Sequence, residues 1–159
     1  CLYLFLYKLI LVHIIIKNLY GEIMHCNESY DMGPCPFATN INMESRMNKN
    51  FRKALWTGEY LQMTLMCIPV CGDIGVEIHE DTDQYIRVES GRARVEIGDR
   101  EDCLNNMACL NQGDGVFVPA GHWHNVINVG NCELKLSSVY APPHHKRGVV
   151  QRTKSDKEY

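Results

Sequence analysis

The stretch Gly113-Asp114-Gly115-Val116-Phe117-Val118-Pro119-Ala120-Gly121-His122-Trp123-His124-Asn125-Val126-Ile127-Asn128 decides how this chain folds. It opens on a glycine turn, passes through a short apolar run, and breaks at Pro119-Ala120-Gly121. Proline presets φ and glycine accepts turn geometry, so these three residues close one strand and open another. The turn delivers His122 and His124 into or beside the second strand. Asn128 stands where a side-chain amide can hold the backbone of the following turn.

The same rhythm extends outward in both directions. Apolar or alternating runs cover residues 51–56, 61–68, 75–79, 85–90, 92–97, 115–118, 125–129 and 133–140. Turn residues separate them every eight to twelve positions: Thr57-Gly58, Ser90-Gly91, Gly98-Asp99, Gln112-Gly113, Gly130-Asn131 and Pro142-Pro143. Many short strands at regular spacing predict an all-β sandwich or barrel. Residues 101–112 read as a short helix or a loop, and 24–50 as an irregular lead-in rich in Asn, Met, Gly and Pro. Trp56, Trp123 and Phe117 are expected in the core.

Upstream, Gly75-Val76-Glu77-Ile78-His79 precedes an acidic turn and then Gln84. In a strand, Glu77 and His79 point to the same face. With His124 they offer two imidazoles and one carboxylate. That donor set, with open positions, suits a divalent transition metal: Fe, Mn, Zn or Ni. Gln84 adds a neutral oxygen ligand if the turn folds its strand back. The expected metal ligands are therefore Glu77, His79, Gln84 and His124, and Glu77 and His122 are the candidate catalytic residues. Glu80, Asp81 and Asp83 read as a solvated turn. His144 and His145 follow Pro142-Pro143 on a stiff exit segment and are expected at the surface.

These residues resemble the cupin superfamily. Gly113, Pro119, Gly121, His124 and Asn128 fill every fixed position of its second motif. The first motif departs: Glu77, His79 and Gln84 stand where the family has His, His and Glu. The resemblance runs from about Phe51 to Pro143. More narrowly, Glu77/His79/Gln84 and Ala141-Pro142-Pro143-His144-His145 resemble a group of small bacterial cupins labelled mannose-6-phosphate isomerase-like. The resemblance implies a double-stranded β-helix, or jelly-roll barrel, at residues 51–143. It implies a homodimer, with one metal inside the barrel mouth.

Composition agrees with a single domain. The chain has 159 residues, 45% apolar and 22% charged, with a net charge of −3. Residues 24–143 carry 9 Lys/Arg against 16 Asp/Glu, which argues against nucleic acid as a partner. Residues 144–159 form a basic C-terminal tail. The 8 cysteines include no Cys-x-x-Cys pair, so they read as reduced thiols of a cytoplasmic protein. Residues 1–23 are apolar, but their longest unbroken run falls short of the ~18 residues a spanning helix needs. They read as an extension before a native start at Met24, and no membrane partner is expected.

Two classes of function fit. The first is a metal-dependent enzyme of the isomerase or epimerase type, acting on a small sugar-like or hydroxy-carbonyl substrate. The same ligands with Fe(II) would instead serve a dioxygenase. The second is a non-catalytic cupin that binds a small ligand, because fold does not fix function. The enzyme reading is favoured, with a small molecule as the partner.

Overall fold

The computed structural model describes residues 30–156. They form nine strands and one short α-helix: α1 (Ile41–Met47), β1 (Arg52–Thr57), β2 (Gln62–Ile68), β3 (Asp83–Ser90), β4 (Arg92–Arg100), β5 (Cys103–Asn111), β6 (Gly115–Val118), β7 (Trp123–Asn128), β8 (Leu134–Ala141) and β9 (Val150–Gln151). A six-stranded sheet has the order β6-β3-β8-β2-β1-β9, and a three-stranded sheet has the order β5-β4-β7. Every strand pairing is antiparallel. This all-β arrangement, expected from the strand rhythm, is the double-stranded β-helix that the resemblance implies.

The core follows from alternation. In β4, Ala93 and Val95 are fully buried while Arg92 is exposed. In β3, Gln84, Ile86 and Val88 are buried, and Tyr85 and Arg87 between them are only partly so. These faces meet Met66, Ile68, Ile74, Val116, Val118, Val126, Leu134 and Leu136 in one apolar cluster. A β-strand has a side-chain period of two, so each strand gives one face to this core.

Several expectations change. Residues 103–111 are strand β5, not a helix or loop. Val95 pairs with Ala108 and Glu96 with Asn106, so Met107 is an extra residue in a bulge. The bulge breaks the period-two signal, and most of this edge strand is exposed. Residues 75–79 are not a regular strand. The segment from Asp73 to Glu77 meets β7 only through the isolated bridges Asp73↔Ile127 and Glu77↔His124, with Gly75 between them at a φ of 82°. Phe117 is not core: it is 74% exposed on β6 and packs its ring on Tyr85 at 4.6 Å. A four-residue strand whose partner face is already filled by Val116 and Val118 leaves that position outward.

The lead-in and the tail both dock on the barrel. Asn40 caps α1 by accepting a hydrogen bond from the Met43 amide. β9 pairs with β1 through Arg52↔Gln151 and Lys53↔Val150. Cys67, Cys71, Cys103, Cys109 and Cys132 are free thiols, but Cys35 is disulfide-bonded. The reading of uniformly reduced cysteines is corrected there. Among the described residues no helix is long and apolar enough to cross a membrane. The reading of residues 1–23 lies outside the described residues.

Candidate metal centre

Glu77 is the point of assembly. Its backbone exchanges two hydrogen bonds with His124, at 3.0 and 2.9 Å. Such a pair places the two side chains on one face of the ladder. The Glu77 Oε1 atom lies 3.7 Å from His124 Nε2 and 3.6 Å from His79 Nε2. Ligand atoms of Glu77, His79 and His124 all fall within 4.8 Å of one another. The structure therefore brings together three of the four expected ligands.

His124 is fully buried, and its Nδ1 lies 3.2 Å from the His122 carbonyl oxygen. A carbonyl only accepts, so Nδ1 carries the proton and Nε2 presents its lone pair toward Glu77 and His79. A backbone carbonyl fixing the tautomer of a ligating imidazole is a common support for metal sites. His79 is also buried, and neither of its ring nitrogens has a hydrogen-bond partner. Buried polar atoms are costly when left unsatisfied, and a cation among these donors would satisfy them. The donor set of two imidazoles and one carboxylate fits a divalent transition metal.

Gln84 sits on β3, buried at 2% exposure. Its Nε2 donates to the Tyr140 hydroxyl at 3.0 Å, and its Oε1 is buried without a partner. Tyr140 in turn packs edge-on to His79, with centroids 5.5 Å apart. Burial pushes the Tyr140 hydroxyl up to about 12, so it stays protonated as part of this support.

His122 is placed differently. Its Nδ1 contacts the Ala120 carbonyl, and its Nε2 lies 3.9 Å from Asp99, whose side chain is 95% exposed. It is half-exposed and does not line the cavity beside the triad. Spacing left it either in the pocket or on the turn; it precedes β7 and lies on the turn.

That cavity has a volume of about 420 Å³ and is walled by Arg52, Glu77, His79, Trp123, His144, His145 and others. Four of these, Arg52, Trp123, His144 and His145, were not read as site residues. Both histidines were expected at the surface; His144 is exposed there with its ring 4.0 Å from that of His79, while His145 is half-buried and lies 4.9 Å from Tyr140. Burial, and then the Arg52 charge, push His145 down to about 2. Burial and the neighbouring His79 also lower His144. Arg52 is 2% exposed, with Nη2 at 3.5 Å from both Glu77 oxygens. Alternation along β1 was the one signal that could have placed Arg52 inside. A second cleft of about 410 Å³, lined by Phe37, Ile41, Leu55, Trp56, Leu61 and Met63 among others, has no ionisable side chain and offers no such chemistry.

A double-stranded β-helix with a histidine- and carboxylate-lined mouth defines a cupin. The chain belongs to the cupin domain family, which it matches over residues 64–150. It is 50% identical over 126 residues to the uncharacterised protein YrkC of Bacillus subtilis strain 168, covering 79% of this chain and 68% of that protein. It is 35% identical over 115 residues to protein L612 of Acanthamoeba polyphaga mimivirus, covering 72% and 70% of the two chains. The crystal structure of BH2720 from Bacillus halodurans superposes with a TM-score of 0.77 at 51% identity, covering 79% of this chain and 96% of that one.

Proposed function

We propose that this cupin is a metal-dependent enzyme that isomerises or epimerises a small hydroxy-carbonyl or sugar-like compound. The observation that carries the reading is the convergence of Glu77, His79 and His124 within 4.8 Å, with Glu77 and His79 lining a cavity. A divalent Fe, Mn, Zn or Ni ion held there would supply Lewis acidity to a substrate carbonyl. Glu77, His79 and His124 would hold it, with the Gln84 carbonyl oxygen as a fourth, neutral donor. Trp123, Val76 and Ile78 would shield the substrate from water. His144, beside His79 and open to the cavity, is the group set to take up and return a proton. His122 has no part in this reading, because it stands apart from the cavity. A cytoplasmic homodimer belongs to the same reading, and light scattering tests its second half.

The experiment is elemental analysis of the full chain beside His124→Ala, followed by turnover assays with each metal. The expected result is about one transition metal per chain, lost in the variant, and isomerisation supported by Mn or Zn. Activity only with Fe(II) and dioxygen would replace isomerisation by oxygen chemistry. A loaded protein that binds compounds without turning any over would make the chain a binding module. No metal after reconstitution would end the metal reading altogether.

A further inference from the structure

Resting on the metal reading above, we infer that Arg52 is the residue that selects the ligand of this site. The ligand class is a small carboxylate carrying a hydroxyl or carbonyl oxygen on the neighbouring carbon.

Arg52 lies at the start of β1 and is among the largest fully buried side chains of the described residues. A guanidinium is seldom buried without strong partners. Here the partners are incomplete. Nη1 donates to Gln151 Oε1 at 3.2 Å, and Nη2 reaches the two Glu77 oxygens only at 3.5 Å. Charge-assisted pairs of this kind close to about 2.7–2.9 Å when optimal. The Nε atom is buried and has no hydrogen-bond partner. Arg52 is thus positioned by Gln151, its register partner on β9, while part of its donor fork stays unused.

Charge points the same way. Glu77 and Arg52 balance one another in the cavity wall. The other acidic residue there is Glu101, which is exposed between β4 and β5. A dication shared with Glu77 would leave the Arg52 charge without its counterion. His144 and His145 add no negative charge to answer it. An anion is the complement, and a planar carboxylate matches the guanidinium fork better than a point charge would. The short Arg52–Glu77 distance limits how far apart the anionic group and the metal-facing oxygen can be, which keeps the ligand small.

The test is calorimetric titration of the full chain, with its metal content measured first, using lactate and its neutral analogue lactamide. Lactate is expected to bind the loaded protein at least about tenfold more tightly than lactamide, the step that one charged contact supplies. Arg52→Lys keeps a positive charge but loses the fork. It is expected to weaken lactate at least about tenfold, leave lactamide unchanged and retain the metal. Equal binding of the two compounds, or binding of neither to fully loaded wild-type protein, overturns the inference without any variant. Undiminished lactate binding by a folded Arg52→Lys protein overturns it as well. Failure of the wild-type chain to load metal strikes the metal reading first, and this inference with it.

Discussion

Glu77 and His124 are joined twice, once through their backbones in a two-hydrogen-bond bridge and once through side chains whose polar atoms lie 3.7 Å apart. The backbone pairing lets the side chains meet without a continuous strand at residues 75–79. Removing the Glu77 charge also leaves the Arg52 guanidinium buried without its counterion. Breaking one partner of a buried pair costs about 3–5 kcal/mol. Glu77→Gln, which keeps the shape, is expected to lose about 3 kcal/mol in a denaturant titration of the metal-free protein. An unchanged midpoint would show that Arg52 finds its balance elsewhere.

Metal loading and stability should be linked. A ligand that binds only the folded state adds about 2.7 kcal/mol at a hundred times its dissociation constant. Chelation is therefore expected to lower the melting temperature, and restoring Zn or Mn to raise it again. His79→Ala should abolish the response to added metal, since His79 contributes one of three clustered ligands. A melting curve indifferent to chelator would count against the site.

Asn128 closes the far end of β7. Its amide nitrogen lies within 2.8–3.1 Å of the carbonyl oxygens of Ile68, Pro69 and Cys132, and its oxygen accepts from the Gly130 amide. Asn128→Ala would leave these buried groups unanswered, at about 2–4 kcal/mol. Asn128→Asp should be worse than alanine, because it sets a carboxylate against three carbonyls. Urea unfolding of the two variants orders them, and the reverse order would refute the argument.

The protein is expected to weaken in mild acid through His145. Burial holds its folded pKa at about 2, far below the ordinary imidazole value near 6.5. Between those values the unfolded chain binds a proton that the folded chain refuses. Stability therefore rises with pH through this window, is complete above about 6.5, and is lost as pH falls below it. His144 shifts in the same direction and adds to the slope. His145→Gln should flatten the dependence measured between pH 4 and 7, and a parallel curve would remove His145 as its source.

The sequence made the strands and the second histidine motif legible because both are local. Strand period and turn residues act within about ten positions, and the fixed spacing spans Gly113 to Asn128. Glu77 and His79 were readable as a pair for the same reason, although a bridge at Glu77 and a hydrogen bond from Gly121 to the His79 carbonyl, not a strand, hold them. The remainder depended on distant chain meeting distant chain. Arg52 reaches Glu77 across 25 positions, and His144 reaches His79 only after the whole barrel has closed. A single inserted residue, Met107, hid β5 by shifting its phase. Spacing left His122 open between the pocket and an exposed turn, and the structure holds it half-exposed on the Ala120 carbonyl.

The cavity wall is drawn from two kinds of chain. Glu77, His79 and His124 stand within the barrel, where burial constrains every neighbour. His144, His145 and Gln151 come from the last stretch, which leaves the barrel after β8 and is tied back to it where the His145 backbone bonds the Gln62 side chain and where β9 pairs with β1. Substitution of the exposed His144 disturbs few packed side chains. A lineage of such proteins can therefore keep its inner donors fixed while redrawing the outer wall, changing what enters without rebuilding what waits inside.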